Sequence, residues 1–250
     1  MKSAKPVLLR IWLPVAALGV WECFTRYGLL DPIFFPAPSV LAREAFGMIG
    51  TGELTGHVRD TLWRTLRGFV PGVLAGVICG ILMGASRAAR QSLESPVSAF
   101  VATPKIALLP VLMLVLGIGE APRIVLIGAA AFASSALVML DGVRDLDANF
   151  AELARNYGAD SWQLVRWVYL PGCLPPLLTA TRQALSRALG LSVAVEVLTG
   201  RTGLGSLIWA GWQSFQPQHV YIGVLTAALL GAVLHGSMRL IEKALVPWKA

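Results

Sequence analysis

The sequence predicts an all-α membrane protein with about six transmembrane helices, and three observations carry that expectation. The 250 residues are 56% apolar and 14% charged, with a mean hydropathy of +0.67, too little charge to cover a soluble domain of this size. Several stretches also run uncharged for nearly the roughly 17–25 helical residues that cross a hydrocarbon core about 30 Å thick. Residues 68–86 supply 19, residues 124–140 supply 17 and residues 106–119 supply 14. Finally, these runs lack the alternation of a strand, and lipid admits only helices or closed barrels. The formal charge of +7 does not imply nucleic acid, because the 21 Lys and Arg residues are scattered around apolar runs and form no basic block.

Crossings are expected near residues 8–26, 63–85, 95–117, 122–141, 172–197 and 219–245. The first follows Lys2, Lys5 and Arg10, as the apolar part of a secretory signal does. Trp21, Glu22 and Cys23 make a poor cleavage site, however, so it reads as an uncleaved helix. Residues 1–30 then form one segment, the N-terminus with its helix, and residues 31–250 a second with five further crossings. Six crossings leave both termini on one side. With eleven Lys and Arg residues there against seven opposite, that side is the cytoplasm.

Between the first two crossings, Phe35-Pro36-Ala37-Pro38-Ser39 interrupts any helix, and Ser39 is placed to cap a short external helix over residues 40–49. The second crossing carries Gly68, Gly72, Gly76, Gly80 and Gly84, a stripe that another helix can approach closely, within the subunit or between two copies. In the third, Pro104 and Pro110 each remove a backbone donor, so a bend or break is expected near Lys105.

The segment from residue 141 to 169, between the fourth and fifth crossings, is much richer in charge than its flanks. Asp147 is placed to cap a helix reaching about Tyr157, Gly158 to take a positive φ, and Asp160 to cap a second helix with Gln163 three residues on. Small Ala151 and Ala154 permit close approach, so the segment reads as a compact helical elbow projecting from the bundle.

Within it, Glu152-Leu153-Ala154, three residues, Gly158, nine residues and Val168-Tyr169-Leu170-Pro171 resemble the EAA signature of ATP-binding-cassette (ABC) importer permeases. Leu153 and Val168 depart from the pattern, both keeping an apolar side chain, and the spacing is intact. FPAPS at 35–39, Gly117-Ile118-Gly119-Glu120 and TGLGSLI at 202–208 resemble the nitrate, sulfonate and taurine type, so the likeness covers roughly residues 30–245.

The resemblance implies a type I importer permease fold in the cytoplasmic (inner) membrane, with a coupling elbow at residues 141–171. It further implies a homodimer with two cytoplasmic ATPase subunits that carry ATP and Mg, fed by an external or periplasmic solute-binding protein and seated in lipid. The residues it assigns to ATPase coupling are Glu152, Leu153, Ala154, Gly158, Ala159, Asp160, Val168, Leu170 and Pro171. Glu152 is expected to fix the elbow through capping or polar contacts, Gly158 to make its turn, and Leu170 and Pro171 to mark the return into the membrane. The implied cargo is a small anion such as a sulfonate, taurine or nitrate, or alternatively a vitamin precursor or other heterocycle.

No catalytic site, cofactor or metal is expected in the chain itself. No Lys follows a Gly, which excludes a phosphate-binding P-loop, and His57, His219 and His235 lack HExxH spacing. Cys23, Cys79 and Cys173 are single and distant from one another. A self-contained secondary transporter or an intramembrane enzyme is the competing class, and neither needs the elbow.

Lys105, Arg182, Arg187 and Glu196 fall inside expected crossings, where an ionised group costs about 2.5–3.5 kcal/mol and therefore needs a partner or water. Their net charge of +2 favours an anion in transit if they line the path; mutual structural pairing is the alternative. Glu196 followed by Gly200, Gly203 and Gly205 suggests a flexible outer gate, or a plain turn.

Overall fold

The computed structural model describes residues 5–146 and 148–246, which are helical with no strand among them. Lys5–Arg26 (α1), Pro38–Gly50 (α2), Glu53–Ala85 (α3), Arg87–Ala102 (α4), Leu109–Leu116 (α5) and Glu120–Arg144 (α6) form the first half. Ala148–Asn156 (α7), Ser161–Leu164 (α8), Leu170–Gly172 (α9), Leu174–Thr199 (α10), Leu204–Gln213 (α11) and Pro217–Leu245 (α12) complete it. Among the described residues four segments are long and apolar enough to cross a membrane: α3, α6, α10 continuing into α11, and α12. α4 and Lys105–Leu116 pass the same test only together, as a pair bent by 96° at its break. α1, 22 residues long, lies where the first crossing is expected.

The chain forms two compact units. The smaller comprises the residues up to Arg59 together with Glu196–Ala227. In it, Pro38 rather than Ser39 starts α2, and the preceding Ala37 makes no side-chain cap. Ser39 instead ties α2 back to α1. Its backbone N–H donates to Glu22 Oε2 at 3.0 Å and its hydroxyl to Glu22 Oε1 at 2.7 Å. The capping role expected of Ser39 is thus replaced by a tertiary bond, because proline at the first helical position needs no partner for a donor it lacks.

The larger unit comprises Asp60–Val195 and the chain from Ala228 onward. Its spine is the close approach of α3 and α6. A Cβ at Gly68 would stand 2.8 Å from the Ile124 carbonyl oxygen and from Ile127, and one at Gly80 would press on the Ala136 carbonyl and Met139. Positions 72, 76 and 84 meet Gly128 and Ala131, Phe132 and Ser135, and Val143 in the same way. The stripe therefore packs inside the subunit. The backbone of α6 occupies the space that side chains would fill, and the dispersion attraction of this close fit stands in for a hydrophobic drive that lipid does not supply. Gly76→Ala should push the two helices apart at a cost of about 1–3 kcal/mol, read as a lower thermal midpoint of the purified protein. Gly56→Ala, in α3 with nothing near its Cβ position, should leave the midpoint unchanged or raise it.

α3 begins at Glu53, well ahead of the crossing expected from residue 63. Arg64, only 3% exposed, donates through Nε to Glu120 Oε2 at 2.6 Å and through Nη2 to Oε1 at 3.0 Å. Arg123 also reaches Glu120 Oε1, at 2.7 Å. One carboxylate at the start of α6 thus serves two guanidinium groups, which lets charged turns of α3 stay helical and buried. At the other end of α6, Arg144 makes a two-pronged contact with Glu94 of α4 at 2.7 and 2.9 Å.

The break near Lys105 lies where the prolines put it. Thr103 and Pro104 have extended backbone and Pro110 sits in the first turn of α5, since the residue before a proline is driven out of the α region. The Lys105 ammonium closes the open end of α4. Nζ donates to the carbonyls of Phe100 (3.2 Å), Val101 (2.8 Å) and Thr103 (3.3 Å).

Candidate functional site: the elbow and the intramembrane charges

The elbow begins at α7, whose cap Asp147 lies outside the described residues. α7 ends at Asn156, and Gly158 takes φ +83°. The Gly158 N–H donates to the Arg155 carbonyl at 2.8 Å and the Ala159 N–H to the Ala154 carbonyl at 3.0 Å. This crossed pair of bonds satisfies the last carbonyls of the helix and requires a left-handed residue between its arms, a role that glycine takes without strain. Immediately after it, Asp160 and Gln163 cap each other reciprocally. The Gln163 N–H donates to Asp160 Oδ1 at 2.8 Å, and the Asp160 N–H to Gln163 Oε1 at 2.9 Å. One helix end and the next helix start are thereby closed in immediate succession, so the bend is rigid.

The two arms differ in what they bury. In the second, Leu164 is 4% exposed. Val165 and Tyr169 pack with Leu146 on the cluster of Met139, Val143, Cys173 and Ala180. One wide turn, Val165–Tyr169, has π geometry and leads through Leu170 and Pro171 into α9 and α10. Val168 is half-buried on this arm. The first arm holds its apolar side chains outward: Phe150, Leu153 and Tyr157 are exposed, as are Trp162 and Trp167 beyond the turn. A soluble surface rarely shows so many large apolar groups together, and such a patch marks a surface that another molecule covers. Glu152 is exposed, and among the described residues the turn is held by backbone bonds and the Asp160–Gln163 box.

Of the four intramembrane charges, the structure separates two from two. Arg182 on α10 pairs with Glu242 on α12 at 3.1 Å, each half-buried. Glu242 is a further acid of the last crossing, beyond the four charges expected at membrane depth, and its place between Arg239 and Lys243 makes it visible in the sequence. Glu196 is fully buried. It accepts the Gly205 N–H at 3.0 Å, and a side chain at Gly203, φ +105°, would collide with its carboxylate. Glu196 thus anchors the loop ahead of α11. Its carboxylate is occupied by the loop.

Lys105 and Arg187 remain. Arg187 on α10 donates to the buried Ser134 hydroxyl of α6 at 2.9 Å and lies within electrostatic reach of Lys105 at the α4 break. Among the described residues neither has a carboxylate partner. Two like charges on different helices thus lie within electrostatic reach of one another. Among the described residues no group of His, Cys, Asp and Glu is arranged to hold a metal.

Comparison with known proteins fits this architecture. The chain is 32% identical to the putative aliphatic sulfonates transport permease protein SsuC of Escherichia coli K12, over 98% of this chain and 94% of that one. It is 29% identical to the taurine transport system permease protein TauC of the same organism, over 98% and 91%. With the riboflavin transport system permease protein RibX of Chloroflexus aurantiacus it shares 31% identity over 93% and 87%. Its fold superposes with a TM-score of 0.65 on a chain of the MetNI methionine ABC transporter, at 23% identity, covering 77% of this chain and 95% of that one. From residue 72 to 247, through every crossing after the second and the elbow between them, the sequence matches one transport family. The chain therefore belongs to the binding-protein-dependent transport system inner membrane components, the multi-pass permeases of ABC importers.

Proposed function

We propose that this permease passes a small organic anion of the sulfonate class through the cytoplasmic membrane, past Lys105 and Arg187. The observation that carries the reading is the uncompensated positive charge these two residues place on different crossings. A positive charge at membrane depth is costly unless water or an anion visits it, and an anion in transit meets two such charges on favourable terms. The names of the SsuC and TauC relatives point to the same class; the RibX relative keeps a heterocycle as the second reading.

An importer permease works with an ATPase and a solute-binding protein. In the proposed assembly, two copies of this chain pair, each docking its elbow on one of two ATPase subunits that hold ATP and Mg. The chain holds no ATPase site of its own. Residues 31–250 form the transport core and residues 1–30 the N-terminus and a first crossing, with both termini cytoplasmic. Glu152, Leu153 and Ala154 face the ATPase, Gly158, Ala159 and Asp160 make the bend, and Val168, Leu170 and Pro171 carry motion from it into α10. A rigid bend suits this role because force applied to one arm reaches the other as a rigid-body shift.

The test is uptake into proteoliposomes holding the permease with its ATPase and binding protein. Labelled taurine or an alkanesulfonate should accumulate only when ATP is supplied on the ATPase side. Accumulation of riboflavin instead would select the second reading, and uptake by the permease alone without ATP would overturn both.

A further inference from the structure

Between the first half of α10 and the last turns of α12 lies a cavity of about 530 Å³, lined by Arg182, Gly236, Arg239, Leu240, Glu242 and Lys243. Arg182 and Glu242 neutralise each other at 3.1 Å. That leaves Arg239 and Lys243, both exposed and without an ion pair among the described residues, so the cavity carries two uncompensated positive charges. From the helical repeat, Lys243 and Gly236 lie on the same side of α12 as Leu229, Val233 and Leu240, which are 66%, 66% and 70% exposed. Gly236 interrupts that apolar stripe with open space around it. From Tyr221 to Arg239 the helix rises roughly 27 Å, close to the thickness of a hydrocarbon core. The two cations therefore stand at the depth of lipid headgroups, Lys243 at the end of the apolar face and Arg239 beside it.

We infer that this cavity seats the headgroup of an anionic phospholipid whose acyl chains lie along Leu229 and Val233. A basic pocket between transmembrane helices at headgroup depth matches a phosphodiester in charge, and the guanidinium of Arg239 has the fork that binds phosphate oxygens in pairs. The Arg182–Glu242 pair forms the floor and fixes the spacing of α10 and α12 around the site. Neither the direction of transport nor the identity of the cargo bears on it.

Native mass spectrometry of the purified, complete transporter, given equal amounts of dioleoyl phosphatidylglycerol and dioleoyl phosphatidylcholine, tests it. Phosphatidylglycerol should be retained in at least tenfold excess, and Arg239→Gln with Lys243→Gln should bring it to the level of phosphatidylcholine, at about fivefold per cation. Equal retention of the two lipids by the unaltered transporter overturns the proposal, whether or not the variant folds. Displacement of phosphatidylglycerol by inorganic phosphate would make this a site for soluble oxyanions, and cross-linking of Leu240→Cys between two copies would make the face a subunit contact; either overturns it. ATPase retention measured on the same preparation reports separately on the assembly proposed above.

Discussion

Gly158→Val is expected to weaken binding of the ATPase by at least fivefold while the permease still inserts and purifies as a folded helical protein. Gly158 sits at φ +83° with nothing within 4 Å of the position its Cβ would take, so the cost of a side chain is backbone strain and not collision. For a β-branched residue that strain amounts to about 1–3 kcal/mol, comparable to a loss of roughly 5- to 150-fold when the bend must form for docking. The bulk of the bundle, which packs around Leu164, Val165 and Tyr169 on the second arm, is not engaged by the substitution. Gly158→Asn is the control, because asparagine adopts the left-handed region with little penalty, and it should retain most of the affinity. Pull-down of the ATPase with purified permease reads the effect. Equal binding by the valine variant would remove the elbow from the coupling pathway.

The second large effect concerns Lys105. Its ammonium caps three carbonyls at the end of α4 and also places a positive charge beside Arg187, so loss of function in an alanine variant would have two explanations. Lys105→Gln separates them, since an amide can still donate to the carbonyls but carries no charge. If the charge meets an anion, ATP-driven sulfonate uptake should fall by at least tenfold in Lys105→Gln, about 1.4 kcal/mol, and Lys105→Arg should restore much of it. Arg187→Gln should behave like Lys105→Gln. ATPase binding should be unchanged in all three, because these residues are far along the chain from the elbow. Uptake by Lys105→Gln at the unaltered rate would assign the lysine to capping alone.

Much of this protein is legible in its sequence. The break at Lys105 follows from two prolines, the left-handed Gly158 from a helix that must end before Asp160, and the Asp160–Gln163 box from a three-residue spacing. Each depends on neighbours within a few residues, and local backbone chemistry is the same wherever the segment sits in the fold. Ser39 departs from its expected cap for the complementary reason: its best partner, Glu22, is 17 residues away in sequence and competes with the local role.

Charge shows the same division. Composition and spacing determined that the chain crosses a membrane, that it bends between the fourth and fifth crossings, and that charged residues fall within the expected crossings. Only the tertiary structure decided which of those charges are cancelled. Arg64 and Arg123 share Glu120, Arg182 takes Glu242, the carboxylate of Glu196 is committed to a backbone N–H, and Lys105 is left beside Arg187. It also decided that the glycine stripe of α3 is filled by α6. A helix's residue pattern specifies which faces can approach a neighbour and which side chains need a counter-charge. Which neighbour arrives, and how closely, is set by packing among helices far apart in the chain, where steric fit and distance-dependent Coulomb energy act only once the fold has brought them together.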